Sequence, residues 1–381
     1  MKLYLKDKIL LLSFFFVVLT SLWVNNIYLL FVFSILCCFL IPLNKWWDNV
    51  TIYLLFFSLF YAMMVVLNGR NNSYFNLLSY IIAPVAFYRF GRWTMNIFRN
   101  DIARQKFLFF TILLYLGYFF ILILKDIALV GIVNETRVLL GDTNDFESWN
   151  ATLYGMMASV GISCIAVIFT RKQKLWLKLC FISVSILSLL SVIHLVNRTG
   201  IIIFLSCLFI SFLVYTKFNI KRVTSAVLLI IFIVFVIYKS DIIDQNILDA
   251  YAQREESSTT NASQLGGRTE KWEVAIDNLF THPWGWDDSG GYAHNLWLDI
   301  ARIAGLLPLF PFLLATFLYI KNFLYLVIKK SYSNFAIILI SINTGMILSS
   351  FVEPVIEGSL LFFCMLMMIW GVTKSLVVDK S

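Results

Sequence analysis

The chain has 381 residues, 60% of them hydrophobic and only 14% charged, with 36 Phe. Soluble domains carry roughly 45–50% apolar and about 25% charged residues, so this composition excludes an ordinary cytosolic enzyme. It also excludes disorder, because the chain has abundant apolar surface to bury. The net charge of +8 says nothing about nucleic acid until the basic residues are placed along the chain.

Crossing the hydrocarbon core takes ~17–25 residues of helix, somewhat fewer with polar flanks. About 12 segments qualify. The first half gives Ile9–Val24, Ile27–Leu43, Val50–Leu67, Phe75–Phe90, Phe107–Leu124 and Ala151–Phe169. The second half gives Leu175–Leu195, Ile201–Thr216, Val223–Tyr238, Ala301–Ile320, Phe335–Phe351 and Ser359–Leu376. The basic start, Met1 to Lys8, resembles a signal peptide, but no small-x-small site follows Val24. It is expected to be the first retained helix. The expectation is a single integral membrane domain, all-α and polytopic.

Charge gives an independent check on the count. With the N-terminus in the cytoplasm and strict alternation, the inner segments hold 21 of the 30 basic residues and only 4 of the 22 acids. That is the asymmetry of the positive-inside rule, and it places both termini in the cytoplasm. Cys37, Cys38, Cys164, Cys180, Cys207 and Cys364 all lie in apolar runs with no metal-ligand spacing, as small core residues would,.

Two outer loops are long enough for function, 125–150 and 239–294,. In the second, Ile243, Ile247, Leu248 and Tyr251 predict an amphipathic helix, and Gln253 to Ser263 a mobile stretch,. Trp272, Ile276, Leu279 and Phe280 then predict a helix after Gly266-Gly267, stopped by Pro283,.

Basic residues on the outer side go against the bias and need a reason. Arg198, in Asn197-Arg198-Thr199-Gly200, either contacts lipid phosphates or is a fixed, bidentate phosphate ligand,. Arg268 follows a double glycine and opens a helix, where backbone N–H groups favour an anion; the alternative is pairing with Glu270 or Glu273,. Arg137 lies among acids, where a salt bridge competes with substrate binding. His294 begins Tyr292-Ala293-His294-Asn295-Leu296-Trp297-Leu298-Asp299 and can titrate near neutral pH,. His194, at a span end, reads as a satisfied core or interface residue, and His282 as turn chemistry. There is no P-loop, Gly-x-Gly-x-x-Gly or His-Glu-x-x-His,. Ionisable residues are nearly absent from mid-span, which counts against a coupled transporter,.

The order of these elements carries more than any one of them. Asn197-Arg198-Thr199-Gly200 precedes a span. The large loop then carries Gly266-Gly267-Arg268-x-x-x-Trp272, the turn Pro283-Trp284-Gly285 and Ala293-His294-Asn295-Leu296, before a span that begins at Gly305. This layout resembles the bacterial O-antigen polymerase and O-antigen ligase family. The resemblance implies a GT-C-like glycosyltransferase of the inner membrane, active on the periplasmic side, with short amphipathic helices in its large periplasmic loop. The donor would be an oligosaccharide on undecaprenyl pyrophosphate. Arg198 and Arg268 would hold the pyrophosphate, His294 would act as base, and Arg137, Trp272 and Asn295 would contact substrate. No cofactor, metal or nucleic acid is implied, and the accompanying proteins would be a chain-length regulator and a flippase. Trp297-Leu298-Asp299 and the Phe/Ile-rich composition favour the polymerase branch over ligation to lipid A-core. A lipid-linked sugar flippase is the alternative of another class.

Overall fold

The computed structural model describes residues 4–20, 26–42, 47–70, 73–134, 151–171, 173–217, 245–256, 267–286, 291–328 and 333–378, with isolated positions at 139, 219, 221, 224 and 228. Among these residues the chain is all-helical and polytopic. The helices are α1 (Leu5–Leu19), α2 (Asn26–Leu40), α3 (Asn49–Leu67), α4 (Tyr74–Ile97) and α5 (Asp101–Val130). Next come α6 (Ala151–Ile162), continued as a 3-10 stretch over Ser163–Phe169, then α7 (Leu175–His194), α8 (Arg198–Tyr215), α9 (Gln245–Glu256) and α10 (Arg268–Thr281). The last are α11 (Leu296–Ala304), α12 (Leu306–Ile328), α13 (Asn334–Val352), α14 (Val355–Gly358) and α15 (Leu360–Val378).

Among the described residues seven helices, α3, α5, α7, α8, α12, α13 and α15, are long and apolar enough to span a bilayer. The outside of the protein is built for hydrocarbon. Phe39, Phe317 and Ile328 face outward at 83%, 67% and 69% exposure, while Ser34 and Thr94 are buried. Those inward hydroxyls are satisfied on their own helices, Ser34 by Leu30 O at 2.7 Å and Thr94 by Gly91 O at 2.8 Å,.

Helices occupy the apolar runs read from the sequence, except that Val223–Tyr238 lies almost wholly outside the described residues. Three boundaries are corrected. The span expected from Ala301 is broken at Gly305, whose φ of 75° only glycine adopts easily, so Ala301–Ala304 belong to the separate helix α11,. The loop expected from Lys125 starts later, because α5 runs to Val130. The stretch expected to be mobile from Gln253 is helical to Glu256, at the end of α9.

The chain divides into two compact units. The first comprises Met1–Tyr118, Glu270–Val327 and Ser350–Ser381; the second comprises Phe119–Thr269 and Ile328–Ser349. In the first unit α4 and α15 pack most extensively. Reciprocal glycines allow this: a Cβ at Gly91 would strike the backbone of Met368, and one at Gly371 the backbone of Tyr88,. Phe14 anchors the adjoining core, with the ring of Phe90 at 4.5 Å and that of Phe33 at 5.6 Å. Asp48 caps α3 through Thr51 N at 2.8 Å, accepts from Tyr88 Oη at 2.9 Å and pairs with Arg92, tying α3 to α4,. In the second unit, small residues bring α6, α8 and α13 together. Ser163 Oγ lies 3.4 Å from Cys207 Sγ, which donates to Ser341 O, and Gly345 leaves room for Ser163.

Gly91→Ala and Gly371→Ala should each destabilise the protein in detergent by about 1–3 kcal/mol, because backbone rather than a flexible side chain is struck. Gly117→Ala, where nothing lies within 4 Å, should leave the melting temperature unchanged.

Candidate functional site

In the first unit, the segment after α10 folds back on the α11–α12 junction. α10 ends with Thr281 Oγ1 2.9 Å from His282 Nδ1, and Pro283 prevents its continuation,. A turn follows, closed by Gly285 N donating to His282 O at 3.0 Å. Leu306 N donates to Pro283 O at 2.8 Å and Trp286 N to Arg302 O at 2.9 Å. Asn68, at the end of α3, donates to both Trp284 O and Ile303 O at 2.9 Å, and Arg70 donates to Trp286 O. Gly305 is required here by space as well as by conformation, since a Cβ would strike Pro283 and Trp284. Beside this turn lies an apolar cavity of about 540 Å³, lined by Tyr53, Phe56, Trp284, Leu306 and Phe310 among others.

The next residues form a tightly determined loop. Asn295 caps α11 by accepting from Trp297 N and Leu298 N at 3.2 Å, and donates to Phe351 O at 3.3 Å,. Asp299, one turn further on, reaches back. Its Oδ1 accepts from Ala293 N at 2.8 Å and its Oδ2 from Asn295 N at 3.1 Å. The residue between those two amides is His294, with φ 54°. Trp272 Nε1 donates to Ala293 O at 2.9 Å, so α10 also grips the loop.

The His294 side chain is 21% exposed, and its Nδ1 lies 3.9 Å from Oε2 of Glu353. Glu353 is buried at the break between α13 and α14. The Tyr292 ring stands edge-on to the imidazole, centroids 6.1 Å apart. Behind the loop Arg302 bridges Asp299, at 3.6 Å, and Glu357, and lies over the Tyr292 ring. Burial, reinforced by Glu357, pushes the Asp299 carboxyl up to about 6, against the opposing pull of Arg302 and the two amides,.

In the second unit, Arg198 opens α8. Asn197 caps that helix through Gly200 N at 3.1 Å, and its side chain lies against Gly155, where a Cβ would collide with it. His194 ends α7 with its ring wholly buried. Nδ1 faces Ile132 O at 3.0 Å and Nε2 faces Asp126 Oδ2 at 2.8 Å. Each ring nitrogen thus has an oxygen within hydrogen-bond distance, one from a carbonyl and one from a carboxyl,. Asn134 completes the knot: its Nδ2 donates to Asp126 at 2.6 Å and its N to His194 O at 2.7 Å. The turn before Arg198 is thereby fastened to the end of α5 and the residues just after it.

The residues read from the sequence are therefore distributed as follows. Trp272, His294 and Asn295 are joined in one loop of the first unit. Arg198 and Arg268 open helices and belong to the second unit. Arg137 lies outside the described residues. The sequence reading missed the roles of Asp299 and Glu353. A carboxylate four residues after the Asn295 cap was a legible signal for the first; Glu353-Pro354 between two apolar runs was a weaker one for the second. No family model matches this sequence, and no curated protein matches it either.

Two outcomes follow from these networks. Because its folded-state value is raised, Asp299 contributes stability that is complete below about pH 4 and lost as pH rises through about 6,. Relative to Asp299→Asn, the wild-type protein should lose on the order of 2–3 kcal/mol of stability across that window, read from melting curves. A difference independent of pH would exclude a buried titrating carboxyl. In the second unit, His194→Ala takes one hydrogen-bond partner from the buried Asp126 carboxyl, leaving Asn134, and should cost about 1–3 kcal/mol by the same assay,.

Proposed function

We propose that the chain is a surface-polysaccharide (O-antigen) polymerase of the bacterial inner membrane, with both termini cytoplasmic and the long loops in the periplasm. It joins oligosaccharide repeats carried on undecaprenyl pyrophosphate by inverting glycosyl transfer. One observation carries the reading. The two halves of its most specific motif, Gly267-Arg268-x-x-x-Trp272 and Ala293-His294-Asn295, are 21 positions apart from Trp272 to Ala293, yet Trp272 Nε1 hydrogen-bonds the carbonyl of Ala293. Arg268 lies one turn before Trp272 on the same helix.

The residue types suit the chemistry. Breaking the bond from sugar C1 to pyrophosphate places negative charge on the leaving group, and Arg198 and Arg268 are assigned to hold it. Arg198 has a capped helix start to present it, and Arg268 follows Gly267 at φ 79°. His294 takes the proton of the attacking hydroxyl, a contribution of typically ~10²–10⁴-fold. The apolar cavity beside Trp284 is of a size and lining suited to part of an isoprenoid chain,.

The test is polymer formation by purified protein from lipid-linked repeats, with and without chelator. Arg198→Ala, Arg268→Ala and His294→Ala should each lower the rate by roughly 10²-fold or more. Arg198→Lys should recover only part of the loss, because an ammonium lacks the planar fork that binds two phosphate oxygens. Full activity in all three alanine variants would remove the catalytic assignment. Transfer to lipid A-core without elongation would identify a ligase, and translocation without bond formation a flippase.

A further inference from the structure

We propose that Glu353 is the acidic partner of His294: a buried carboxylate behind Nδ1 that orients the imidazole and holds the charge it gains, with Nε2 on the opposite edge as proton acceptor. The proposal rests on His294 being the base of the glycosyl transfer proposed above.

Three observations carry it. His294 is a non-glycine residue held at φ 54°, a conformation that costs roughly 1–2 kcal/mol and persists only where neighbours over-determine it,. The neighbours do so here: Asp299 takes the amide on each side, and Trp272 takes the Ala293 carbonyl. The backbone is thus fixed, and from it the ring faces Glu353, with Nδ1 3.9 Å from Oε2. Glu353 in turn is 2% exposed. A carboxylate that deeply buried is expensive unless compensated by a cation or hydrogen bonds, and it sits at a chain break formed by Pro354 rather than inside a helix,. Finally, His294 keeps 21% of its side chain open while Glu353 is sealed behind it, so substrate approaches the imidazole and not the carboxylate.

Among the described residues, the other groups named beside the ring are placed differently. Tyr292 meets it edge-on, Asp299 is engaged with the two loop amides, and Arg302 is engaged with Asp299 and Glu357. In the reaction, the acceptor hydroxyl oxygen forms a bond to the anomeric carbon. The bond from that carbon to the pyrophosphate oxygen breaks, its electron pair leaving on the pyrophosphate. The hydroxyl proton passes to Nε2. Glu353 remains ionised throughout and stabilises the imidazolium, which later releases its proton to water. Glu353 is accordingly a positioning residue.

The chain has three histidines, so imidazole hydrogen–deuterium exchange read by mass spectrometry can titrate each one in the purified full-length protein. Glu353→Gln, which keeps the shape and removes the charge, should lower the His294 midpoint by about one pH unit or more, with His282 unmoved as internal control. In the polymer assay, the same variant should lower kcat with KM little changed, and move the acid limb of the pH profile to lower pH. Glu353→Asp should restore part of both effects, and it gives a shift of the same sign but smaller size if the glutamine variant does not fold. A His294 midpoint that is identical in wild type and Glu353→Gln overturns the pairing. A shifted midpoint together with full polymer formation by His294→Ala leaves the pair standing and overturns the base assignment instead, so the two failures are distinguishable.

Discussion

The backbone amides of Ala293 and Asn295 converge on one buried carboxylate, that of Asp299, and the arrangement of the first unit's loop depends on that convergence. A left-handed histidine on a free loop would relax to a more common conformation. Here relaxation would strand two amides and a carboxylate in a poorly solvated place, at roughly 1–3 kcal/mol for each unsatisfied group. The strain at His294 is small by comparison, so the turn is kept. Arg302 then balances Asp299 and Glu357, and the cap provided by Asn295 starts α11 at the register that returns Asp299 to the loop.

The same economy explains the turn at Pro283–Trp286. Gly305 separates α11 from α12 and leaves space that the Pro283 and Trp284 backbone fills, while Asn68 and Arg70 satisfy carbonyls that the turn would otherwise leave bare. A continuous helix from Ala301 would close that space and displace the turn. The short helix α11 is therefore a consequence of one glycine, and the turn seated against its end helps to line the apolar cavity through Pro283 and Trp284.

Much of this was legible in the sequence, for identifiable reasons. Apolar runs long enough for a bilayer announce themselves whatever they pack against, and the Trp272 helix followed from its spacing and from Pro283. Arg198 in a polar break before a span is a local feature, readable within a few residues, whereas Asn295 was read as a substrate contact and not as the cap it makes. What could not be read were pairings across long separations. Glu353 approaches His294 from a break between α13 and α14, and Asp126 approaches His194 from the end of α5. Nothing local marks either acid as a partner of that particular histidine. Boundaries failed where a polar step was read as a helix end, as at Lys125-Asp126 inside α5, and where Gly305 divides the run from Ala301, because a helix ends where its hydrogen bonds find other partners and not where its side chains turn polar,.

The surroundings of the three histidines separate structure from chemistry more sharply than their sequence context does. His194 is sealed, and both of its nitrogens face acceptors, one a carboxylate and one a carbonyl. With both nitrogens engaged and the ring shut off from solvent, His194 serves as a clasp. His282 is exposed, with Nδ1 beside the Thr281 hydroxyl. His294 lies between these extremes. A sealed carboxylate stands behind one nitrogen, a fixed backbone sets the ring, and part of the imidazole stays open to solvent. A group meant to accept a proton and give it up again needs stabilisation of its charged form together with access to water and substrate. Of the three, only His294 has both.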